Sequence, residues 1–79
     1  MLELRQLKAF VAIAEEGYIT RAAERLGMQQ PPLTRLLQSL EAELGVVLME
    51  RLPRGVRPTT AGLALLDEAR HILASVDGV

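Results

Sequence analysis

Three side chains that donate hydrogen bonds occur at spacings that place them on one face of a helix. At about 100° per residue, Thr34, Arg35 and Gln38 point away from a row of leucines. None of the three is acidic, and glutamates come only towards the far end of the same stretch. Arginine can form two hydrogen bonds with guanine, and glutamine two with adenine. The face therefore suits contact with base edges in the major groove of DNA; the alternative is the solvated side of an ordinary bundle helix.

A helical corner precedes this face and favours the nucleic-acid interpretation. Residues 20–44 predict a short helix, a tight turn and a longer helix, with Thr20 as the first cap. Gly27 can take the left-handed conformation that ends a helix. Pro31 and Pro32 suit the first turn of the second helix, where a missing N–H costs nothing. The apolar row of this helix comprises Leu33, Leu36, Leu37, Leu40 and Leu44. Together these features form a helix-turn-helix pattern.

The charge of the chain is segregated, although its net charge is only −1. Residues 20–36 and 51–57 together hold six arginines and one glutamate. The remaining residues hold three basic and nine acidic side chains. A positive surface on an otherwise acidic body is expected of a phosphate-binding face.

The flanking sequence predicts a scaffold helix and a small hairpin. Residues 1–16 show helical apolar spacing and are followed by Gly17, which is suited to end a helix. Residues 46–49 are β-prone, and residues 51–57 contain a proline and a glycine that indicate a turn. We expect a hairpin here, a wing, with Arg54 near its tip; the alternative is a plain surface loop.

The last helix carries more apolar side chains than one core contact requires. Thr59 or Thr60 is expected to cap it, and it should reach about residue 76. One apolar line comprises Leu65, Ala69, Ile72 and Val76, and an adjacent flank comprises Leu63, Leu66 and Leu73. Together they cover about half the circumference, more than the ~100° stripe of a single contact. We expect the flank to meet the same helix of a second molecule; the alternative is leucines left exposed in a shortened chain.

Residues that could support catalysis or hold a metal are sparse. The only histidine, His71, lies one turn from Asp67 and Glu68, where a surface ion pair is the simpler interpretation. No phosphate-binding glycine loop or metal-ligand cluster is present in the sequence, so no catalytic or metal residue is predicted. The absence of cysteine, of a long apolar run and of a signal-peptide pattern predicts a cytoplasmic protein with no membrane partner.

The chain resembles the N-terminal DNA-binding domain of LysR-type transcriptional regulators. Four segments carry the resemblance, namely LRQLKAFVAIAEEG, TRAAERL, QPPLTRLLQSLEAELGVVLMER and RGVRPTTAG. It implies a mainly α fold, with a winged helix-turn-helix (three helices and a β-hairpin wing) over residues 1–58. Residues 59–79 would form a linker and dimerisation helix, within which the chain stops.

The resemblance also implies roles for individual residues. The start of the recognition helix matches base- and phosphate-contact positions at Gln30, Pro31, Pro32, Thr34 and Arg35. Thr20 matches a phosphate-contact position on the second helix, and Arg54 matches the wing position that approaches the minor groove or backbone. With Gln38 from the donor face, these are the predicted DNA-binding residues.

The sequence departs from the family pattern at three positions. Tyr18 stands where serine is common, and Gln29 replaces the usual small cap before the recognition helix. Pro58 replaces a common leucine, which is expected to shorten the second wing strand.

The resemblance implies double-stranded operator DNA as partner, bound by a homodimer formed through the C-terminal helix. A tetramer is implied for the full-length protein. No cofactor is expected in this fragment, and a small-molecule inducer is expected in a downstream effector-binding domain. The alternative function is a helical protein-interaction or dimerisation module with no nucleic-acid role. Binding to duplex DNA that weakens steeply with salt would distinguish the two.

Overall fold

Helix α1 lies at the centre of the fold. The computed structural model describes residues 1–77 of the chain. Its elements are α1 (Leu4–Glu16), α2 (Ile19–Leu26), α3 (Gln30–Leu44), β1 (Met49–Arg51), β2 (Val56–Pro58) and α4 (Thr60–Asp77). Because α1 packs against the other three helices and β2, it is buried over most of its circumference rather than along a single stripe. Phe10 and Ile13 of α1 have no exposed surface.

Helix α1 begins later than the sequence predicted. Residues 1–3 are not helical, and Glu3 precedes the helix in an extended conformation. The backbone N–H of Glu3 donates to the Gln6 side-chain oxygen at 2.8 Å, which closes the first turn in the manner of a capping box. The predicted end is confirmed, since Gly17 is left-handed and its N–H bonds to the carbonyl of Ile13.

Helices α2 and α3 form the predicted helix-turn-helix, with one correction at its start. Gly27 is left-handed with φ 65°, and Pro31 and Pro32 lie in the first turn of α3. The prediction that Thr20 caps α2 is wrong. Tyr18 is the extended residue before the helix, and its carbonyl accepts the Ala22 N–H at 3.0 Å. Thr20 therefore already belongs to the first turn.

The leucine row of α3 packs on the core over most of its length. Leu33, Leu37 and Leu40 are buried, and Leu36 is partly buried. Leu44 is exposed, because α3 ends there at a left-handed Gly45 and extends past the core.

The predicted hairpin is present and short. Strands β1 and β2 pair antiparallel, with Met49 opposite Pro58 and Arg51 opposite Val56. Residues 52–55 connect them, so Arg54 lies in the turn as predicted. The β-prone run contributes only Met49 to the strand, and β2 ends at Pro58, as expected of a residue with no N–H to donate.

Helix α4 is capped by Thr59, whose hydroxyl oxygen accepts the Gly62 N–H at 3.0 Å. Gly62 is buried against the chain before β1, and a Cβ atom there would lie 2.1 Å from the Leu48 carbonyl oxygen. Continuing from Gly62, Leu66 and Ala69 are buried and Leu73 is partly buried against the core. Residues 78 and 79, at the end of the predicted linker region, lie outside the described residues.

Two of the three leucines in the predicted partner flank on α4 pack at least partly on the core of the chain, and the flank as a dimer contact stays a prediction. Leu66 is only 8% exposed and Leu73 packs on the core, because both lie on the same side of α4 as Gly62 and Ala69. Leu63 is 59% exposed, as the prediction requires. From the other line, Ile72 and Val76 are 41% and 47% exposed. The exposed apolar surface thus belongs mainly to residues that had been expected to face the core.

Over residues 1–77, no helix combines the length and apolar character needed to cross a membrane. The same range contains no group of three or more histidine, cysteine, aspartate or glutamate side chains that could hold a metal ion.

Candidate nucleic-acid interface

The first turns of α3 present their polar side chains to solvent. Gln30, Pro31, Arg35 and Gln38 are exposed, while Pro32 and Thr34 are half-buried. On the opposite side of the same turns, Leu33 is fully buried. The donor face is therefore held outward by the packing of the leucine row behind it.

A cleft of about 260 Å³ separates α2, the start of α3 and the wing. Its walls carry Thr20 from α2, Gln30 from α3 and Arg51 from β1. The complete lining is Tyr18, Ile19, Thr20, Gln30, Arg51, Leu52, Gly55 and Val56, none of which is acidic. The cleft brings together two predicted site residues, Thr20 and Gln30, with Arg51. Arg51 belongs to the positive segments, but the sequence did not predict it as a site residue.

The other predicted site residues lie outside this cleft. Thr34, Arg35 and Gln38 continue along α3, and Arg54 lies in the wing turn. Pro31 and Pro32 form the first turn between the cleft and the donor face. The predicted residues are thus spread along a surface that runs from α3 to the wing, with the cleft between its two parts.

The wing is docked onto the turn between α1 and α2. The Val56 N–H donates to the Gly17 carbonyl at 2.9 Å. At the preceding position Gly55 has φ 80°, and a Cβ atom would lie 2.3 Å from the Gly17 carbonyl oxygen. Only glycine permits this approach and this backbone conformation together. The turn end of the wing is consequently fixed to the turn between α1 and α2, and Arg54, in the hairpin turn beside this contact, is exposed.

Tyr18 stands at the junction between α2 and the wing, and sequence reasoning noted it only as a departure. The Arg21 guanidinium lies over the Tyr18 ring, with its central carbon 4.4 Å from the ring centroid. Ring atoms Cε1 and Cδ1 are 3.2 and 3.3 Å from the position that a Cβ of Gly55 would occupy. The ring therefore contacts both α2 and the wing.

The positive surface is narrower than the arginine count suggested. Arg25 pairs with Glu15 at 2.8 Å and with Glu16 at 3.2 Å, and Arg57 pairs with Glu50. The arginines that form no ion pair with any other part of residues 1–77 are Arg21, Arg35, Arg51 and Arg54. These four arginines belong to α2, α3 and the wing, the elements that also form the cleft.

Helix α3 is held from behind by two polar contacts that the sequence did not reveal. The Gln6 side chain, only 2% exposed, donates to the Ser39 hydroxyl at 2.9 Å and so joins α1 to α3. The Glu41 carboxylate accepts the backbone N–H groups of Leu48 at 2.7 Å and Met49 at 3.4 Å. A carboxylate that accepts backbone N–H groups is a strong, directional link. Through Glu41, α3 is joined to the start of β1.

The architecture is that of a winged helix-turn-helix DNA-binding domain. Its elements are the α2–α3 corner, a β-hairpin after α3, and an exposed donor face on the first turns of α3.

The chain belongs to the LysR family, because the model of the bacterial regulatory helix-turn-helix protein, lysR family, matches residues 4–63. It is similar to the HTH-type transcriptional regulator TcbR of Pseudomonas sp. (strain P51), with 57% identity over 72 residues. It is also similar to the HTH-type transcriptional regulator ClcR of Pseudomonas putida, with 56% identity over 72 residues. Each alignment covers 91% of this chain and 24% of the relative, so the chain spans about a quarter of the length of these regulators.

Solved structures of similar domains include complexes with DNA. The CbnR DNA-binding domain bound to DNA matches with a TM-score of 0.92 and 54% identity, over 96% of this chain and 87% of that one. The BenM DNA-binding domain bound to benA site 1 DNA matches with a TM-score of 0.92 and 45% identity, over 98% of this chain and 86% of that one. Full-length CbnR bound to its target DNA matches with a TM-score of 0.89 and 54% identity, over 98% of this chain and 27% of that one. The sequence-based recognition of the family and of the fold is confirmed.

Proposed function

We propose that this chain is the operator-reading part of a bacterial transcription regulator, with α3 in the major groove and the wing on the adjacent backbone or minor groove. One observation carries the proposal. The exposed start of α3 lies beside the wing across a cleft that contains donors and no carboxylate. On the wing side of α3, such a surface meets phosphates without charge repulsion.

The residues divide by the chemistry that each offers. Arg35 and Gln38 have the donor geometry for base edges, and Gln30 and Thr34 extend the same surface. Thr20 and Arg51 in the cleft, with Arg54 at the wing tip, offer donors to phosphate oxygens. Pro31 and Pro32 restrict the backbone where α3 begins and so limit the freedom of the reading end.

A homodimer through α4 completes the proposal. One recognition helix reads only a few base pairs, and two-fold proteins bind two-fold half-sites. A two-fold contact must be self-complementary, which two antiparallel copies of α4 satisfy. Since Leu66 is buried and Leu73 is partly buried within the chain, we assign the contact to the exposed side that carries Ile72 and Val76.

The rest of the proposal concerns a longer protein, since this chain spans about a quarter of the length of the regulators it resembles. We propose that a downstream domain binds a small-molecule inducer, that the full-length protein forms a tetramer, and that it acts in the cytoplasm. Residues 1–58 would then read DNA, and residues 59–79 would join the two copies.

Fluorescence anisotropy tests the DNA-reading function directly. Duplexes are first selected from a random-sequence pool by repeated rounds of binding to the chain. A selected duplex is then compared with a shuffled duplex of the same length and composition. We expect preference for the selected duplex by about tenfold or more, with an affinity that falls linearly on a log–log plot against salt. Failure to bind any duplex at low salt would instead favour the protein-interaction module.

A further inference from the structure

Tyr18 occupies the N-cap position of α2 but does not cap it. The structure shows no side-chain hydrogen bond from Tyr18 to the first turn, as expected of a side chain with no short acceptor. Serine, threonine, asparagine or aspartate at this position would bond to the free N–H groups. The Tyr18 side chain therefore does not cap the start of α2, and its contacts are made by the ring.

The ring is placed between two parts of the DNA-facing surface. It lies under the Arg21 guanidinium on one element and against the Gly55 backbone on another, and it also lines the cleft beside Thr20. The side chain remains 37% exposed, so one part of the ring is in contact while another part stays open to solvent.

We infer that Tyr18 is a positioning residue for DNA binding, which holds the Arg21 guanidinium and the turn end of the wing in one fixed arrangement beside the cleft. This inference rests on the proposed function. It assigns to Arg21 a contact with a DNA phosphate, and to Tyr18 the preorganisation of that contact.

The Arg21 part of the inference follows from its surroundings. Arg21 is exposed and forms no ion pair within residues 1–77, so no carboxylate competes with a phosphate for it. A long side chain loses rotamer freedom when it binds, and this loss weakens binding unless the side chain is already ordered. The face of an aromatic ring attracts a guanidinium and can order it in the free protein.

The wing part follows from how the turn end of the hairpin is held. A two-stranded hairpin is marginally stable by itself, so its position depends on docking. On the side of the α1–α2 turn, the hairpin is held by the Val56 N–H bond to Gly17, by the buried Val56 side chain and by the Tyr18 ring against Gly55. Loss of the ring would remove the packing against Gly55.

The test replaces Tyr18 by serine and, as the matched control, by phenylalanine. Tyr18→Ser removes the ring and supplies an N-cap acceptor, so the helix itself should not lose stability. Tyr18→Phe keeps the ring and removes only the hydroxyl. Affinity for a selected duplex is measured by anisotropy over a range of salt, and folding is measured by thermal melting. We expect Tyr18→Ser to weaken binding about two- to fivefold with an unchanged or higher melting temperature, and Tyr18→Phe to bind like the parent chain.

A double-mutant cycle with Arg21→Ala shows whether the two residues act together. In the parent chain, Arg21→Ala should reduce the log–log salt slope by about one unit. In the Tyr18→Ser background the same substitution should cost clearly less affinity, because the guanidinium is no longer held in place.

Three results would overturn the inference. The first is a Tyr18→Ser chain that binds as tightly as the parent with the same slope. The second is an equal loss for Tyr18→Phe and Tyr18→Ser, which would make the hydroxyl a direct DNA contact. The third is a cycle in which the two substitutions are additive. None of these results affects binding by the parent chain itself, so failure of the inference is distinct from failure of the proposed function.

Discussion

The side chain of Gln6 donates a hydrogen bond to the hydroxyl of Ser39 at 2.9 Å, across 33 positions of sequence. The same hydroxyl donates to the Leu36 carbonyl at 2.8 Å, so the contact reaches the backbone of α3. Gln6 is the single buried polar side chain found within residues 1–77. A buried polar group that is fully hydrogen-bonded favours one packing arrangement over its neighbours. This pair therefore sets how α3 lies on α1.

Removal of the Ser39 hydroxyl should destabilise the domain. Ser39→Ala removes the acceptor of the Gln6 amide, which costs about 1 kcal/mol in the free energy of unfolding, because Ser39 is exposed and water can reach the amide. Urea denaturation followed by circular dichroism measures this loss. Ser75→Ala, on the exposed side of α4, is the matched control and should change stability little. Equal stability of the two variants would show that Ser39 does not support Gln6.

The stability of the domain should decrease as the pH is lowered through the titration of Glu15. Burial raises the pKa of this carboxyl, but hydrogen bonds from Arg25 and Arg70 and their charges outweigh it, so the pKa lies below its ordinary value of 4.5. A carboxyl whose pKa is lowered by folding stabilises the protein above its unfolded pKa and loses that effect as pH falls through the folded pKa. The stability difference between the parent chain and Glu15→Gln should thus be constant near neutral pH and shrink below about pH 4.5. Urea denaturation at a series of pH values measures it. A difference that grew on acidification would contradict the assigned direction.

Arg35 should contribute to base discrimination. Arg35→Ala is expected to cost about 1–3 kcal/mol on a selected duplex and to relax the preference at particular base pairs. Anisotropy with single-base variants of the duplex gives both quantities. If selected and shuffled duplexes lost affinity equally, Arg35 would be a phosphate contact.

Arg54 should contribute to affinity for every sequence alike. Arg54→Ala is expected to weaken binding to selected and shuffled duplexes by the same factor and to lower the salt slope by about one unit. Arg57→Ala is a useful control from the same hairpin, because Arg57 is already paired with Glu50 and should change the slope less. An unchanged slope for Arg54→Ala would place the wing tip away from the backbone.

The exposed side of α4 should hold the dimer together. Glutamate at both Ile72 and Val76 would place charge in the proposed contact, and sedimentation should then show monomer with the helical content retained. Leu63→Glu is the matched control, because Leu63 is also exposed but lies on roughly the opposite side of α4, at about 100° per residue. Leu66→Glu should instead unfold the domain, since Leu66 is buried. Dimers that survived the double substitution would require a different contact.

Local signals predicted most of the fold. The helix-ending glycines at 17 and 27 and the paired prolines at the start of α3 act within a few residues, so the sequence reveals them directly. The wing was predicted for the same reason. The N-cap of α2 was missed because Thr20 looks like a cap, whereas the backbone turns two residues earlier at Tyr18.

The details that depend on distant contacts could not be predicted. The two lines on α4 both consist of apolar side chains at helical spacing, so the sequence does not show which line faces the core. The packing of α1 against α4 decides that Leu66 and Leu73 face inward. The pairing of Arg25 with Glu15 depends on how α1 and α2 pack, and the contact of Tyr18 with Gly55 joins residues that are far apart in the chain. The arginine-rich segments could be located from the sequence. Which of their arginines form no ion pair, and so remain available to DNA, could not be predicted.

The Glu41 carboxylate has a consequence for the spacing of contacts along DNA. By binding the N–H groups of Leu48 and Met49, it joins the recognition helix to the wing, while Val56 joins the wing to the α1–α2 turn. The wing is therefore held at both ends. Helix α3 and the wing keep a fixed separation, so the length of DNA that one copy of the domain contacts is constant. In a dimer, any variation in the distance between half-sites must then be accommodated between the two copies of the domain or by curvature of the DNA, and not within either copy.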